Sequence, residues 1–264
     1  MFLDQILLWQ SSHLQPARSP PTVRPTVSSG NPFSIGFRAA RANLVPGLLI
    51  QALMVAVVLT YYFVPSSRFV FHVLADAKEH WGFGFSFTSA VIAGAVLPVI
   101  FKIVFVQHGR LTRADLSEFL FLAVFWGLEG IFVDTLYRLQ AVVFGAHVDV
   151  ATVCKKVFAD MLIFNPFFAV PFTLTCYELK NHGYKVRRIG HVFTAEFYRR
   201  HCIPALCATW GLWIPVTSAV YSLPSLLQIP LFALALTFWV LMVAYITARH
   251  HTAEPGALPQ PVVD

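Results

Sequence analysis

The chain has 264 residues, of which 57% are hydrophobic and 12% are Asp, Glu, Lys or Arg, with a net charge of +6. An ordinary soluble domain carries about 25% of those charged types, so this composition cannot coat a water-soluble core. Its 25 Phe and mean hydropathy of +0.65 exclude a disordered chain as well. The basic excess fits a membrane protein, because Lys and Arg collect in cytoplasmic loops; nucleic-acid binding is not needed to explain it.

Residues 1–35 form a separate compositional region, with five Pro and six Ser between Ser11 and Ser34 and Asp4 the only acid before Asp76. No apolar segment of signal-peptide length precedes a small-residue cleavage site. The expected reading is a disordered cytoplasmic tail, with a transit peptide as the alternative. A transmembrane domain is predicted over 36–248, and a second Pro-rich, disordered tail over 249–264.

A bilayer core of about 30 Å needs about 20 apolar helical residues. In chain order, segments poor in charge predict spans over 44–64, 81–101, 119–136, 158–177, 202–221 and 226–247. Pro224 supplies the turn between the last two. With these boundaries, 14 Lys and Arg fall on the side of the two termini and 5 on the other. The predicted fold is therefore an all-α, polytopic helical bundle of about six transmembrane segments with both termini cytoplasmic.

All ten His lie outside the six predicted spans, and neither H-E-x-x-H nor a P-loop occurs. A hydrolase or a His-based zinc site at membrane depth would need imidazole there. The run Gly84-Phe-Ser-Phe87 looks like a nucleophile turn but has no His partner on a span. No enzyme activity, metal or cofactor is predicted. The four Cys read as small packing residues, with a thiol switch as the minor alternative.

Ionisable residues inside a span cost roughly 2.5–3.5 kcal/mol each near the bilayer centre, so they face protein or a water-filled cavity. Glu129 is the clearest case, and Asp134, Arg138, Lys156 and Asp160 complete a predicted polar pathway. Asp134 with Arg138, and Lys156 with Asp160, are four apart and so are expected to pair along their helices. The competing reading makes these residues salt bridges that only hold helices together. Pro166 and Pro171 are expected to bend the fourth span, while Trp126, Trp210, Trp213 and Trp239 lie deeper than an interfacial belt. The segment 191–201 reads as an interfacial helix with Val192, Phe193, Glu196 and Phe197 near one face. Arg187, Arg188, Arg199 and Arg200 of that loop would meet anionic headgroups.

The run Ile203-Pro-Ala-Leu-Cys-Ala-Thr-Trp-Gly-Leu-Trp-Ile-Pro215 resembles the W-P-A-L-x-A-x-W-x-x-W-x-P element of the Mpv-seventeen, or peroxisomal membrane protein twenty-two, family. Pro204, Trp210, Trp213 and Pro215 match it. Lys156, Asp160 and Pro166 match the family's K-x-x-x-D-Q-x-x-x-x-P pattern, with Met161 in place of Gln. Tyr137-Arg138 stands where the family has W-Y-R, with Leu136 for Trp, and Asp134 replaces the His of the preceding G-P-x-x-H. Phe238-Trp239 resembles the F-W of its last span. Thr217, Val220 and Tyr221 depart from the usual Gln, Asn and Phe, and no Arg follows Pro224. The resemblance covers roughly residues 127–245 and is that of a divergent member.

It implies a multi-pass protein of the inner mitochondrial or peroxisomal membrane, or of the cytoplasmic membrane in a bacterium. Function by this resemblance is a weakly selective channel or small-solute pathway, with a solute or ion as the permeant. The alternative is a non-conducting scaffold that acts through lipid or a partner. The expected partners are the bilayer and a second copy of the chain.

Overall fold

A few residues of special geometry set the helix boundaries. The computed structural model describes residues 44–252, except 108 and 111, together with Phe33 and Arg41. Helix α1, Leu44–Phe63, stops where Val64 turns extended before Pro65, and a short turn, Pro65–Ser67, leads into α2, Arg68–Trp81. Ser67 donates its hydroxyl to Thr60 O and Val64 O, so the two helices meet at a 101° bend. Gly82, at φ +53°, ends α2 and starts α3; glycine adopts that conformation without steric cost. Helix α3 begins as Phe83–Val91 and continues through the wider turns Ile92–Val96 and Lys102–Val106.

Helix α4, Arg113–Phe144, starts at a reciprocal cap: Asp115 N donates to Thr112 Oγ1 and Thr112 N donates to Asp115 Oδ2. Replacing a capping Thr with an apolar residue costs about 1 kcal/mol, so Thr112→Val is expected to lower the thermal midpoint in detergent by a few degrees without changing helix content. Helix α5 runs over Val150–Asn181 from the Asp149 cap, where hydrogen bonds from Thr152 hold the Asp149 carboxyl below its usual range. Helix α6 spans Ala195–Tyr221 and α7 spans Ser225–Thr252.

All seven are helices, and the described residues contain no strand. Among the described residues, four helices are long and apolar enough to cross a membrane: Phe83–Val104, Asp115–Phe144, Val150–Asn181 and Ala195–Tyr221. The bent pair Gly47–Phe63 with Pro65–Trp81 makes a fifth crossing if it counts as one span, and α7 adds the shorter apolar stretch Ser225–Leu241. Trp81, predicted to open the second span, belongs instead to α2. The predicted tails lie outside the described residues, apart from Phe33 and the last turn of α7 at 249–252.

The outward faces are apolar: Phe167 is 78% exposed and Val142 83%. Such surface on helices of this length suits hydrocarbon rather than water, and the protein is an integral membrane protein. Inside, Ile50 and Met54 of α1, Tyr137 of α4, Val216 and Tyr221 of α6 and Leu227 of α7 form one core cluster. A smaller one joins Val170 of α5 to Phe197 and Leu206 of α6.

Helices α3 and α4 make the most extensive contact. Ser86, Ala90 and Gly94 repeat every four residues on α3; Ser86 and Ala90 face Gly130 of α4, Gly94 faces Trp126, and Gly127 meets the Phe87 ring. Small residues at this spacing let two backbones approach closely.

One sequence expectation is refined and one corrected. At the prolines expected to bend the fourth span, α5 stays one helix that widens over Asp160–Ala169, with i to i+5 bonding that accommodates Pro166, and continues as Val170–Asn181. The helix expected to start at 191 begins at Ala195. Val192 and Phe193 lie in the separate turn Gly190–Phe193, Phe193 is exposed while Phe197 is buried, and the four residues do not share one face. Arg187, Arg188, Arg199 and Arg200 are exposed, and Arg200 pairs with Glu196 at 2.6 Å.

Candidate functional site

Four of the five polar residues predicted as one pathway fall into two places, and Lys156 lies in neither. The first is a closed network where α2, α3 and α4 meet. Lys78 Nζ donates to Asp134 Oδ2 at 2.5 Å, Ser86 Oγ at 2.6 Å and Gly82 O at 3.0 Å. Ser86 donates in turn to Asp134 Oδ2 at 2.7 Å, and Arg138 Nε donates to Asp134 Oδ1 at 3.1 Å. The Arg138 guanidinium also lies 4.6 Å over the Phe83 ring. Lys78, Ser86 and Asp134 are buried, and both Asp134 oxygens are occupied. The Gly82 turn places Lys78 and Ser86, on either side of it, against one carboxylate of α4.

Lys78 falls between the predicted spans 44–64 and 81–101 and carries no sequence signal, and Ser86 stands out only as part of a nucleophile-like turn. The hydroxyl of Ser86 is enclosed, and its hydrogen is committed to Asp134.

The second place is a cavity of about 200 Å³ between α4, α5, α6 and α7. Liquid water occupies about 30 Å³ per molecule, so this volume admits several waters or one small organic solute. Glu129 and Asp160 are the acids in its wall, and none of its lining residues is Lys, Arg or His. Glu129 is 6% exposed and accepts one hydrogen bond, from Thr173 Oγ1 at 3.3 Å. Asp160 accepts from the Tyr221 hydroxyl at 2.7 Å and from Asn165 Nδ2 at 3.0 Å. Thr209, Thr217, Trp213 and Trp239 also line the cavity.

Lys156 and Asp160 do not pair. Asp160 turns toward Tyr221 and Asn165, while Lys156 is buried with no ion pair to any described residue, and its carbonyl accepts from Gln140 Nε2 at 3.3 Å. Asp134, Arg138 and Lys156 do not line the cavity, so the continuous lining expected from sequence reduces to Glu129 and Asp160.

Of the residues matched to the family motif, Tyr137, Asp160, Trp213 and Trp239 line the cavity, while Pro166, Pro204, Trp210 and Pro215 do not. Trp210 Nε1 donates to Met161 O at 2.8 Å and ties α6 to the widened part of α5. Tyr137 stacks edge-on against Tyr221, with ring centroids 5.1 Å apart, and Trp213 leans on Phe232. Pro166 lends its carbonyl to the Tyr198 hydroxyl at 3.1 Å. Pro204 lies in the first turn of the Ile203–Tyr221 segment and Pro215 in its interior.

A further ionic cluster ties α3, α4 and α5 at the opposite end from Lys78. Lys102 meets Asp115 at 2.9 Å and Glu118 at 3.0 Å, and Lys180 lies 3.9 Å from Glu118. All four Cys are free thiols; Cys154 is exposed and Cys202 buried. Among the described residues, no group of three or more His, Cys, Asp or Glu is arranged to hold a metal ion. No family model matches the chain, and neither does any curated protein or solved structure.

Proposed function

We propose that the protein is a small-solute pathway of six membrane crossings, with the cavity between α4 and α7 as its central compartment. The observation that carries this reading is that Glu129 and Asp160, each within a helix long and apolar enough to cross a membrane, stand in the wall of one cavity rather than in ion pairs. Buried carboxylates are expensive in a bilayer and recur where ions or polar solutes pass. The count of six treats the α1–α2 elbow as one crossing and α7 as another, and both termini then share the side rich in Lys and Arg.

The sequence match at Asp160, Pro204, Trp210, Trp213 and Pro215 is what supports kinship with the Mpv-seventeen family. On that kinship the protein resides in an inner mitochondrial or peroxisomal membrane, or in the cytoplasmic membrane of a bacterium. Its partners are the bilayer and a second copy of itself, with no catalytic role.

The test is solute and ion flux in liposomes reconstituted with purified protein, beside a Glu129→Gln, Asp160→Asn double variant. Wild-type flux whose cation preference weakens in the folded variant supports the pathway. Selectivity that stays unchanged removes both carboxylates from it.

A second reading, a non-conducting scaffold, draws on the Lys78–Ser86–Asp134 network, where polar residues serve packing alone. It gains if folded protein shows no flux across several lipids and voltages and a stoichiometric partner co-purifies.

A further inference from the structure

The cavity wall combines two features that select different parts of one kind of molecule. It carries acid without base: Glu129 and Asp160 are present and Lys, Arg and His are absent. Asp160 is already satisfied, since each of its oxygens accepts a hydrogen bond. Glu129 is not. Its Oε1 takes one bond from Thr173, and its Oε2 accepts none from any described residue, although the side chain is 94% buried against the cavity.

Eight of the other 18 wall residues are aromatic, Phe125, Trp126, Tyr177, Trp213, Phe232 and Trp239 among them. Aromatic faces attract a cation through their quadrupole, most strongly where water is excluded, and such rings together with a carboxylate suit organic ammonium ions.

Other occupants fit less well. A hydrated metal cation needs several oxygen ligands in place of its water, and no metal-holding group occurs among the described residues. An anion meets two acids and no base. A neutral apolar molecule leaves the free oxygen of Glu129 without a partner in low dielectric, which is costly.

We infer that the cavity is a binding site for a small organic ammonium ion, with Glu129 as its counter-ion and the aromatic wall as its cage. The inference rests on the solute-pathway reading, for which it names the solute class, but binding is measured apart from passage.

The test titrates purified protein in detergent with choline chloride and follows tryptophan fluorescence, since Trp126, Trp213 and Trp239 line the cavity. Two controls run beside it: potassium chloride at equal ionic strength, and the neutral isostere of choline in which a quaternary carbon replaces the nitrogen. The expected result is saturable choline binding, about tenfold or more tighter than the isostere, with no response to potassium. Glu129→Gln, checked for folding by circular dichroism, is expected to weaken choline binding while leaving that of the isostere unchanged.

Equal binding of choline and the isostere, or no binding of either by folded wild-type protein, overturns the inference without reference to any variant. Choline binding without flux in liposomes retires the pathway and leaves the site standing. Potassium flux without choline binding keeps the pathway and overturns the site.

Discussion

Asp134→Ala is expected to destabilise the protein by about 3–5 kcal/mol, because it strands the buried Lys78 ammonium with no counter-charge. Lys78 would keep Ser86 Oγ and Gly82 O as acceptors, and neither carries a full negative charge. The loss should appear as a large drop in the thermal midpoint in detergent and as proteolysis within the α2–α3 turn. Replacing both partners separates charge from packing. A Lys78→Met, Asp134→Leu double variant removes the desolvation cost along with the attraction, and such replacements are often neutral or stabilising. Recovery of most of the lost stability in the double variant is the expected outcome. A single variant as stable as wild type would show that the network does not hold the elbow.

Gly130→Ala is the second large effect. A Cβ at this position would lie 2.5 Å from Ser86 O, a backbone atom, and 2.6 Å from Ala90 Cβ. No side chain can swing away from a backbone clash, so α3 and α4 must separate, at about 2–3 kcal/mol for one added methyl. The same movement pulls Ser86 from Asp134 and so weakens the Lys78 network as well. Gly84→Ala is the matched control, because nothing lies within 4 Å of its added Cβ; it sits in the first turn of its helix, where Ala is favoured over Gly by less than the roughly 1 kcal/mol of a helix interior. Melting curves of the two variants in the same detergent should move in opposite directions.

Much of the architecture could be read from charge-free stretches, because a bilayer imposes one length on every crossing. Glu129 and Asp160 were recognisable for the related reason that a carboxylate at that depth needs an explanation. Their surroundings were not legible. Tyr221 meets Asp160 across 61 positions, and Thr173 meets Glu129 across 44; only tertiary packing creates such pairs.

Lys156 and Asp160 satisfied the four-residue rule, yet better donors on α6 and within α5 captured the carboxylate. Lys78 escaped notice because it lies outside any long apolar run, in the short α2, and the Gly82 reversal that buries it has no counterpart in a hydropathy scan. Departures from the family pattern prove informative at the cavity: Thr217 lines it, and Tyr221 supplies the hydroxyl that a Phe would lack.

The widened stretch Asp160–Ala169 also sets the phase of the helix. Asp160 and Thr173 are 13 positions apart; at about 100° per residue, an uninterrupted α-helix would leave them roughly 140° apart around the axis. With i to i+5 bonding, each residue advances by only about 80°, and the ten residues so bonded bring the two nearly into line. The lining positions of α5 record the change, recurring as 160 and 161, 164 and 165, 169 and 170, then 173 and 174. The extra width acts as a rotational spacer that keeps both halves of α5 turned to one chamber. Removing a single residue within it would turn the Thr173 half away from Glu129 while leaving composition and helix content almost unchanged.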